Sequence, residues 1–307
     1  MTTSGEAHSR ETLNRTVMAL GCALIWGGQS VAVKVSLFEW PPLAVMAARF
    51  ALAAAVLGVF AIGSGLPLRA DGRQLRMIAG NVVLLVVQIG LFTVGTAQTT
   101  SARSVVIVNT FPFFAALACH FITHDSPLRR SQFIGLLLAF SGLSAVFAHR
   151  LSPGGASTSA GDLLVLSAAA VMGLKIAYVR RIVDHVPPVQ LLFVSSAAAA
   201  ALCVAASAAF ETHEYRRLTP AGMASIGYQG CLASGLAALL WTLLLERNSP
   251  NSVTVFRLTS PPVGVFFGWL ILSEEPSPGL LAGCVLIVAG ILCVHHRSNS
   301  STAEAIP

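Results

Sequence analysis

The chain carries the same apolar pattern twice, with an odd number of segments in each copy. Setting Pro41-Pro42 against Pro187-Pro188 brings Gly27 onto Gly173 and Lys34 onto Arg180. Setting Pro112 against Pro262 brings Ser104 onto Thr254, and further on Gly135 and Gly142 fall on Gly283 and Gly290. The offset drifts from 146 to 150 to 148 residues, as loops of unequal length require. Each half holds five apolar segments, so the second half enters a bilayer from the side opposite to the first. Such inverted pairs place any binding site between the repeats, near the bilayer midplane.

Composition fixes the solvent. Of 307 residues, 55% are hydrophobic and 10% charged, with a mean hydropathy of +0.75; a soluble domain carries about 25% charged residues. The reading is an all-α polytopic membrane protein of ten transmembrane helices, arranged as two inverted five-helix repeats. The expected spans are 17–37, 42–63, 75–97, 100–122, 131–148, 161–179, 189–210, 222–245, 252–272 and 279–296. Each approaches the roughly 20 residues that a helix needs to cross about 30 Å of hydrocarbon. Nothing alternates like a barrel strand, and a helix satisfies its own backbone in lipid. The expected divisions are a cytoplasmic tail 1–16, a first repeat 17–148, a polar linker 149–160, a second repeat 161–296 and a cytoplasmic tail 297–307.

Basic residues set the expected orientation. With both termini inside, the inner segments hold 11 basic residues against 3 in the outer loops, so both tails are placed in the cytoplasm. Of 19 basic residues 17 are Arg, and Ala is abundant, which suits a GC-rich bacterial genome and hence a bacterial plasma membrane. The six cysteines are scattered through apolar segments, which suits packing better than a disulfide framework or a metal site. The first 16 residues hold no small-residue cleavage site after a short apolar run, so no cleaved signal peptide is expected.

Ile25-Trp26-Gly27 followed by Lys34, then Pro41-Pro42 followed by Arg49-Phe50, and a closing stretch with Pro262, Gly268-Trp269, Glu275, Gly283 and Gly290 resemble the EamA family of the drug/metabolite transporter superfamily. The resemblance covers roughly 17–148 and 161–296. It implies a ten-helix carrier with a central cavity and two peripheral helices, the fifth and tenth, and leaves the substrate open. Two positions depart from the family pattern: Thr123-His124-Asp125 stands for Leu-Gly-Glu, and Met172 for a frequent Trp.

Five cationic residues lie within the expected spans: Lys34, Arg49, Arg103, Lys175 and Arg257. Acidic residues are almost confined to loops and tails, so the interior reads as electropositive, favouring an anionic or zwitterionic ligand. A charge at the bilayer centre costs about 2.5–3.5 kcal/mol on insertion scales, so such residues are functional candidates. Lys34, Arg103 and Lys175 lie within about a turn of a span end, where they can also reach headgroups or helix carbonyls. Arg49 and Arg257 lie deeper; Arg49 matches the family pattern, whereas Arg257 and Lys175 do not and are the better candidates for tuning specificity. The polar residues Gln29, Asn81, Gln88, Asn109, Tyr178 and Tyr228 complete the candidate substrate-binding set. Asn81 and Gln88, seven apart, share a helix face. Pro112 and Pro262 occupy matching mid-span positions and are the candidate hinges, each expected to break one helix hydrogen bond.

The sequence contains no phosphate-binding loop, no H-E-x-x-H and no G-x-S-x-G. Neither a catalytic residue, a metal nor a cofactor is expected, and the chain is read as a non-enzyme. The expected partners are a small-molecule substrate and the lipid bilayer, without nucleic acid; the Gly135–Gly142 and Gly283–Gly290 faces allow close helix packing or a homodimer contact. Export or exchange of small carboxylate-bearing metabolites, amino acids among them, is the leading expectation. A multidrug exporter of hydrophobic compounds and an anion channel are the rivals.

Overall fold

The computed structural model of the chain describes residues 3–122, 159–211, 219–247 and 255–296, with three short helical stretches at 137–138, 141–142 and 144–145. The described part of the first half comprises α1 (Thr3–Gly27), α2 (Gln29–Leu37), α3 (Pro42–Gly63), α4 (Gly72–Gln98), α5 (Ser101–Val108) and α6 (Phe111–Ile122). The second comprises α7 (Ser159–Ile182), α8 (Pro188–Phe210), α9 (Pro220–Gly227), a π-helical segment (Tyr228–Leu236), α10 (Ala237–Arg247), a 3₁₀ turn (Val255–Thr259), α11 (Ser260–Leu272) and α12 (Pro278–His296). No strand occurs among the described residues.

Seven stretches are long and apolar enough to cross a membrane: Asn14–Leu37, Pro42–Gly63, Gly72–Gln98, Ser101–Phe121, Ser159–Ile182, Pro188–Phe210 and Pro220–Leu244. Ser260–Leu272 and Pro278–Ala289 are shorter apolar helices. Val59, Ile62, Phe121, Phe210 and Val285 are exposed on the outside of the bundle, as side chains in contact with lipid are. The protein is a multi-pass membrane protein. The expected fifth span, 131–148, lies outside the described residues apart from its three short stretches, as does most of the expected linker. The tail expected over 1–16 is helical from Thr3 and runs without a break into the first span.

The helix starts follow from local chemistry. Both proline doublets open the second helix of their half: Pro42 and Pro188 begin α3 and α8, where a missing N–H costs nothing. Asp71 caps α4 in a reciprocal capping box with Gln74. Thr100 and Thr219 cap α5 and α9 through their hydroxyls.

Across the halves, α3 packs along α8, α4 along α7, α6 along α7 and α5 along α11, while α1 and α2 pack on α9, α10 and α11. Two of the glycines matched between the halves sit at equivalent crossings. A Cβ on Gly27 would lie 2.7 Å from Val263 Cγ1 and 3.0 Å from the Ser260 carbonyl. One on Gly173 would lie 2.5 Å from the Ala115 amide nitrogen and 2.6 Å from the Phe114 carbonyl carbon. Because the obstruction at Gly173 is backbone, Gly173→Ala is expected to force α6 and α7 apart at a cost of about 1–3 kcal/mol. Thermal melting of the detergent-purified protein measures this. Gly21→Ala, with nothing within 4 Å of its Cβ, is the neutral control; equal melting of the two variants would refute the crossing.

Three of the seven spans are interrupted near their middles, and a fourth irregular segment, a turn, precedes α11. The α1–α2 span breaks at Gly28, the α5–α6 span at Asn109-Thr110, the Pro220–Leu244 span widens into the π-helical segment, and the 3₁₀ turn leads into α11. Pro112 and Pro262 do not bend continuous helices, as the sequence led one to expect. Each sits in the first turn after such an interruption, within α6 and α11, where a proline lacks no intrahelical partner.

Hydrogen bonds identify the two ends of the bundle. At one end, Glu211 accepts from the amides of Leu43 (2.6 Å) and Ala44 (3.0 Å) at the start of α3. Glu39 accepts from the amide of Thr219 (2.8 Å) and from its hydroxyl, at the start of α9. Glu274 accepts from the amides of Ser101 (2.8 Å) and Ala102 (3.0 Å), at the start of α5. Three carboxylates thus cap helices that belong to other parts of the chain, where the helix dipole favours negative charge. At the other end the Gln74 amide donates to the His185 carbonyl (3.0 Å), among the exposed Arg69, Arg73, Arg76, Arg180 and Arg181.

Candidate functional site

All four irregular segments meet at one cavity of about 1020 Å³, the open space at its mouth included. Irregular backbone at membrane depth is tolerated where it borders protein or a wet cavity, since its polar groups need partners. The α1–α2 span contributes Trp26, Gln29 and Ser30, the α5–α6 span Val108, Asn109 and Phe111, the π-helical segment Ala233 and Ser234, and the 3₁₀ turn with the start of α11 Arg257 and Ser260. Gln88 on α4, Arg49 on α3, Lys175 on α7 and Ser196 on α8 complete the polar lining.

Arg49 is 4% exposed. Its Nε donates to Ser234 Oγ at 2.8 Å, tying α3 to the π-helical segment, while its buried Nη1 has no partner. Lys175 donates to Gln88 Oε1 at 2.9 Å, which holds the ammonium between α7 and α4. Arg257 is held by rings: its guanidinium carbon lies 4.3 Å from the ring centre of Trp26, 4.7 Å from Phe111 and 5.4 Å from Trp241. Cation–π attraction of this kind contributes about 0.5–2 kcal/mol per contact. Trp26 is itself fixed, donating to the Ala233 carbonyl at 3.1 Å and meeting Trp241 edge to face. The buried Arg257 Nε has no partner. The charges of Arg49 and Arg257 both reach Lys175, and no carboxylate stands among the described lining residues.

Of the ten candidate ligand contacts, Gln29, Arg49, Gln88, Asn109, Lys175 and Arg257 line this cavity. The structure sets the other four elsewhere. Lys34 donates to the carbonyls of Thr96 (3.2 Å) and Thr99, at the C-terminal end of α4, the arrangement that a helix dipole favours for a cation. Asn81 donates to Ser195 Oγ at 2.9 Å, across α4 and α8. Tyr178 and Tyr228 are tethers: each hydroxyl donates to a neighbouring span's carbonyl, Met77 at 2.9 Å and Ile25 at 2.6 Å. Each also lies over a glycine, Gly80 and Gly28 respectively, that leaves room for its ring.

The fifth interior cation is neutralised. Arg103 donates through Nε to both Asp162 oxygens (3.2 and 3.1 Å) and through Nη2 to Oδ2, and Thr99 Oγ1 donates to the same carboxylate at 2.6 Å. Asp162, in the first turn of α7, is fully buried. The uncompensated positive charge therefore narrows from five residues to Arg49, Lys175 and Arg257. Sequence reasoning had no signal for the Trp26–Phe111–Trp241 cage or for Ser234, because aromatic and small residues in apolar spans read as ordinary packing. Among the described residues with detailed surroundings, no group of three His, Cys, Asp or Glu side chains could hold a metal ion.

Apolar spans and a charged cavity bordered by broken helices are features of a membrane transporter. The chain belongs to the EamA-like transporter family, whose model matches it twice, over residues 15–148 and 159–295. It is similar to the uncharacterized transporter YoaV of Bacillus subtilis (strain 168), 24% identical across 89% of this chain and 93% of that protein. A probable terminal-alkyne amino-acid exporter of Streptantibioticus cattleyicolor is 24% identical across 95% of this chain and 97% of its own. A probable amino-acid metabolite efflux pump of Salmonella typhimurium is 27% identical across 89% and 92%. A solved crystal structure shares the fold at a TM-score of 0.69 and 18% identity, covering 91% of this chain and 97% of that one.

Proposed function

We propose that the protein is a secondary transporter of the bacterial plasma membrane that exports or exchanges small carboxylate-bearing metabolites, amino acids among them. In this reading it works by alternating access between two inverted five-helix repeats. The observation that carries the proposal is the central cavity bordered by three broken spans and the 3₁₀ turn, with three cations and no carboxylate among its described lining residues. A carboxylate supplies the missing charge. Hydrophobic cations, the cargo that a multidrug exporter would need to tolerate, meet three like charges. The names of the Streptantibioticus and Salmonella relatives agree with export of amino-acid compounds.

The cavity reaches toward the arginine-rich end, with Leu192 in the second turn of α8 and Arg257 in the 3₁₀ turn. At the opposite end it stops short of the three glutamate ties. In this reading the arginine-rich end, with both termini, faces the cytoplasm, as the basic-residue bias supports, and the tied end is the closed one. Export then requires the glutamate ties to part while the interruptions beside Pro112 and Pro262 act as hinges.

Counterflow in proteoliposomes tests the scheme. Labelled L-leucine and N-acetyl-L-leucine are suitable probes, since Leu85, Ile89, Val108 and Leu192 offer an aliphatic lining. Exchange is expected to saturate and to be stimulated by unlabelled ligand on the far side. A thiol cross-linker between Glu39→Cys and Thr219→Cys is expected to stop it, and a cleavable cross-linker to restore it on reduction. Unsaturable flux that ignores the cross-link would replace the carrier with a channel.

A further inference from the structure

Resting on that reading, we infer that the cavity is built for carboxylates that carry no ammonium group, such as 2-hydroxy, 2-oxo or N-acylated acids, in preference to the parent amino acids. The ground is an inventory of donors and acceptors. An α-amino acid presents a carboxylate, which needs donors, and an ammonium with three N–H groups that need acceptors. The donors stand ready: Arg49 Nη1 and Arg257 Nε are buried and have no partner.

The acceptors are neutral, and several already take a donor from the protein. Gln88 Oε1 takes the Lys175 ammonium at 2.9 Å, Ser234 Oγ takes Arg49 Nε at 2.8 Å, and the Ala233 carbonyl takes the Trp26 indole at 3.1 Å. The Ser260 hydroxyl donates to the Ala23 carbonyl at 2.8 Å. Of the aromatic faces, the other surface that holds an ammonium, four already face a guanidinium. Trp26, Phe111 and Trp241 surround Arg257, and Phe50 lies 5.9 Å from the Arg49 guanidinium.

What remains among the described side chains, Gln29 Oε1, Asn109 Oδ1 and the hydroxyl oxygens of Ser30, Ser196 and Ser260, is uncharged. An ammonium would thus enter beside three cations with no counter-charge of its own. An uncharged hydroxyl, ketone or amide at the same carbon meets no such repulsion, and its oxygen accepts from the spare donors.

Calorimetric titration of the purified full-length protein with L-leucine, N-acetyl-L-leucine and 2-hydroxy-4-methylpentanoate compares three ligands on one carbon skeleton. The two anions are expected to bind about tenfold or more tightly than L-leucine. Equal or tighter binding of L-leucine overturns the inference, and so does the absence of binding by both anions. Counterflow separates the two proposals. If L-leucine binds best and is exchanged, the ligand class falls and the carrier stands; if flux is unsaturable and ignores the cross-link, the carrier itself falls.

Discussion

Arg103→Ala is expected to destabilise the protein by about 3–5 kcal/mol, enough to remove most folded material from a detergent extract. The cost does not come from the Coulomb attraction alone, since a buried pair roughly balances its own desolvation. It comes from what the variant leaves behind. Asp162 is fully buried, and without the guanidinium only the Thr99 hydroxyl is left of the partners described above. A carboxylate deprived of its guanidinium must either stay charged in a low-dielectric surround or take up a proton. Replacing both partners, as Arg103→Leu with Asp162→Leu, is therefore expected to recover most of the loss, because apolar pairs of similar volume substitute well for buried ion pairs. Thermal melting and the monodisperse fraction in size-exclusion chromatography give the comparison. A single variant as stable as the wild type would mean that the pair is hydrated and carries little weight.

The same pair shows what a sequence of this kind conceals. The helix starts at Pro42 and Pro188, the doubling of the pattern and the helical class were legible, because hydrophobic runs of about 20 residues and proline doublets are local signals. Arg49, Lys175 and Arg257 were legible as interior charges for the same reason. Pairing was not: Arg103 and Asp162 are 59 residues apart, and no spacing rule joins the start of the fourth span to the start of the sixth. Glu39, Glu211 and Glu274 looked like loop residues, yet each caps a helix in another part of the chain.

Tyr178 and Tyr228 illustrate the opposite error. A polar group in an apolar span reads as a ligand contact, while a tether to a backbone carbonyl satisfies the same requirement. The prolines were located correctly on the chain and misread mechanically. Whether a proline bends a helix or opens one depends on where the preceding segment ends. Asn109 and Thr110 each donate back to the turn before them, to the Val105 and Ile107 carbonyls at 2.7 Å, side-chain bonds that compete with the helix.

Arg49→Gln is expected to weaken ligand binding by about 2–4 kcal/mol, thirtyfold or more in apparent affinity, while leaving the ligand-free protein at least as stable as the wild type. The two halves of this expectation come from different atoms. Nη1 is the buried donor without a partner, and a charge-assisted bond from it to a carboxylate is lost with the guanidinium. Nε bonds Ser234, and the glutamine amide retains a donor for that hydroxyl, so the link from α3 to the π-helical segment has a substitute. Removing one of three mutually repelling cations also relieves Lys175, which feels the charge of Arg49. A residue that served only packing would behave in the reverse way, losing stability on truncation and leaving affinity untouched. Melting temperature without ligand, set beside the titration and the counterflow KM, distinguishes these outcomes. Retained affinity together with a lowered melting temperature would move Arg49 out of the ligand site and into the scaffold.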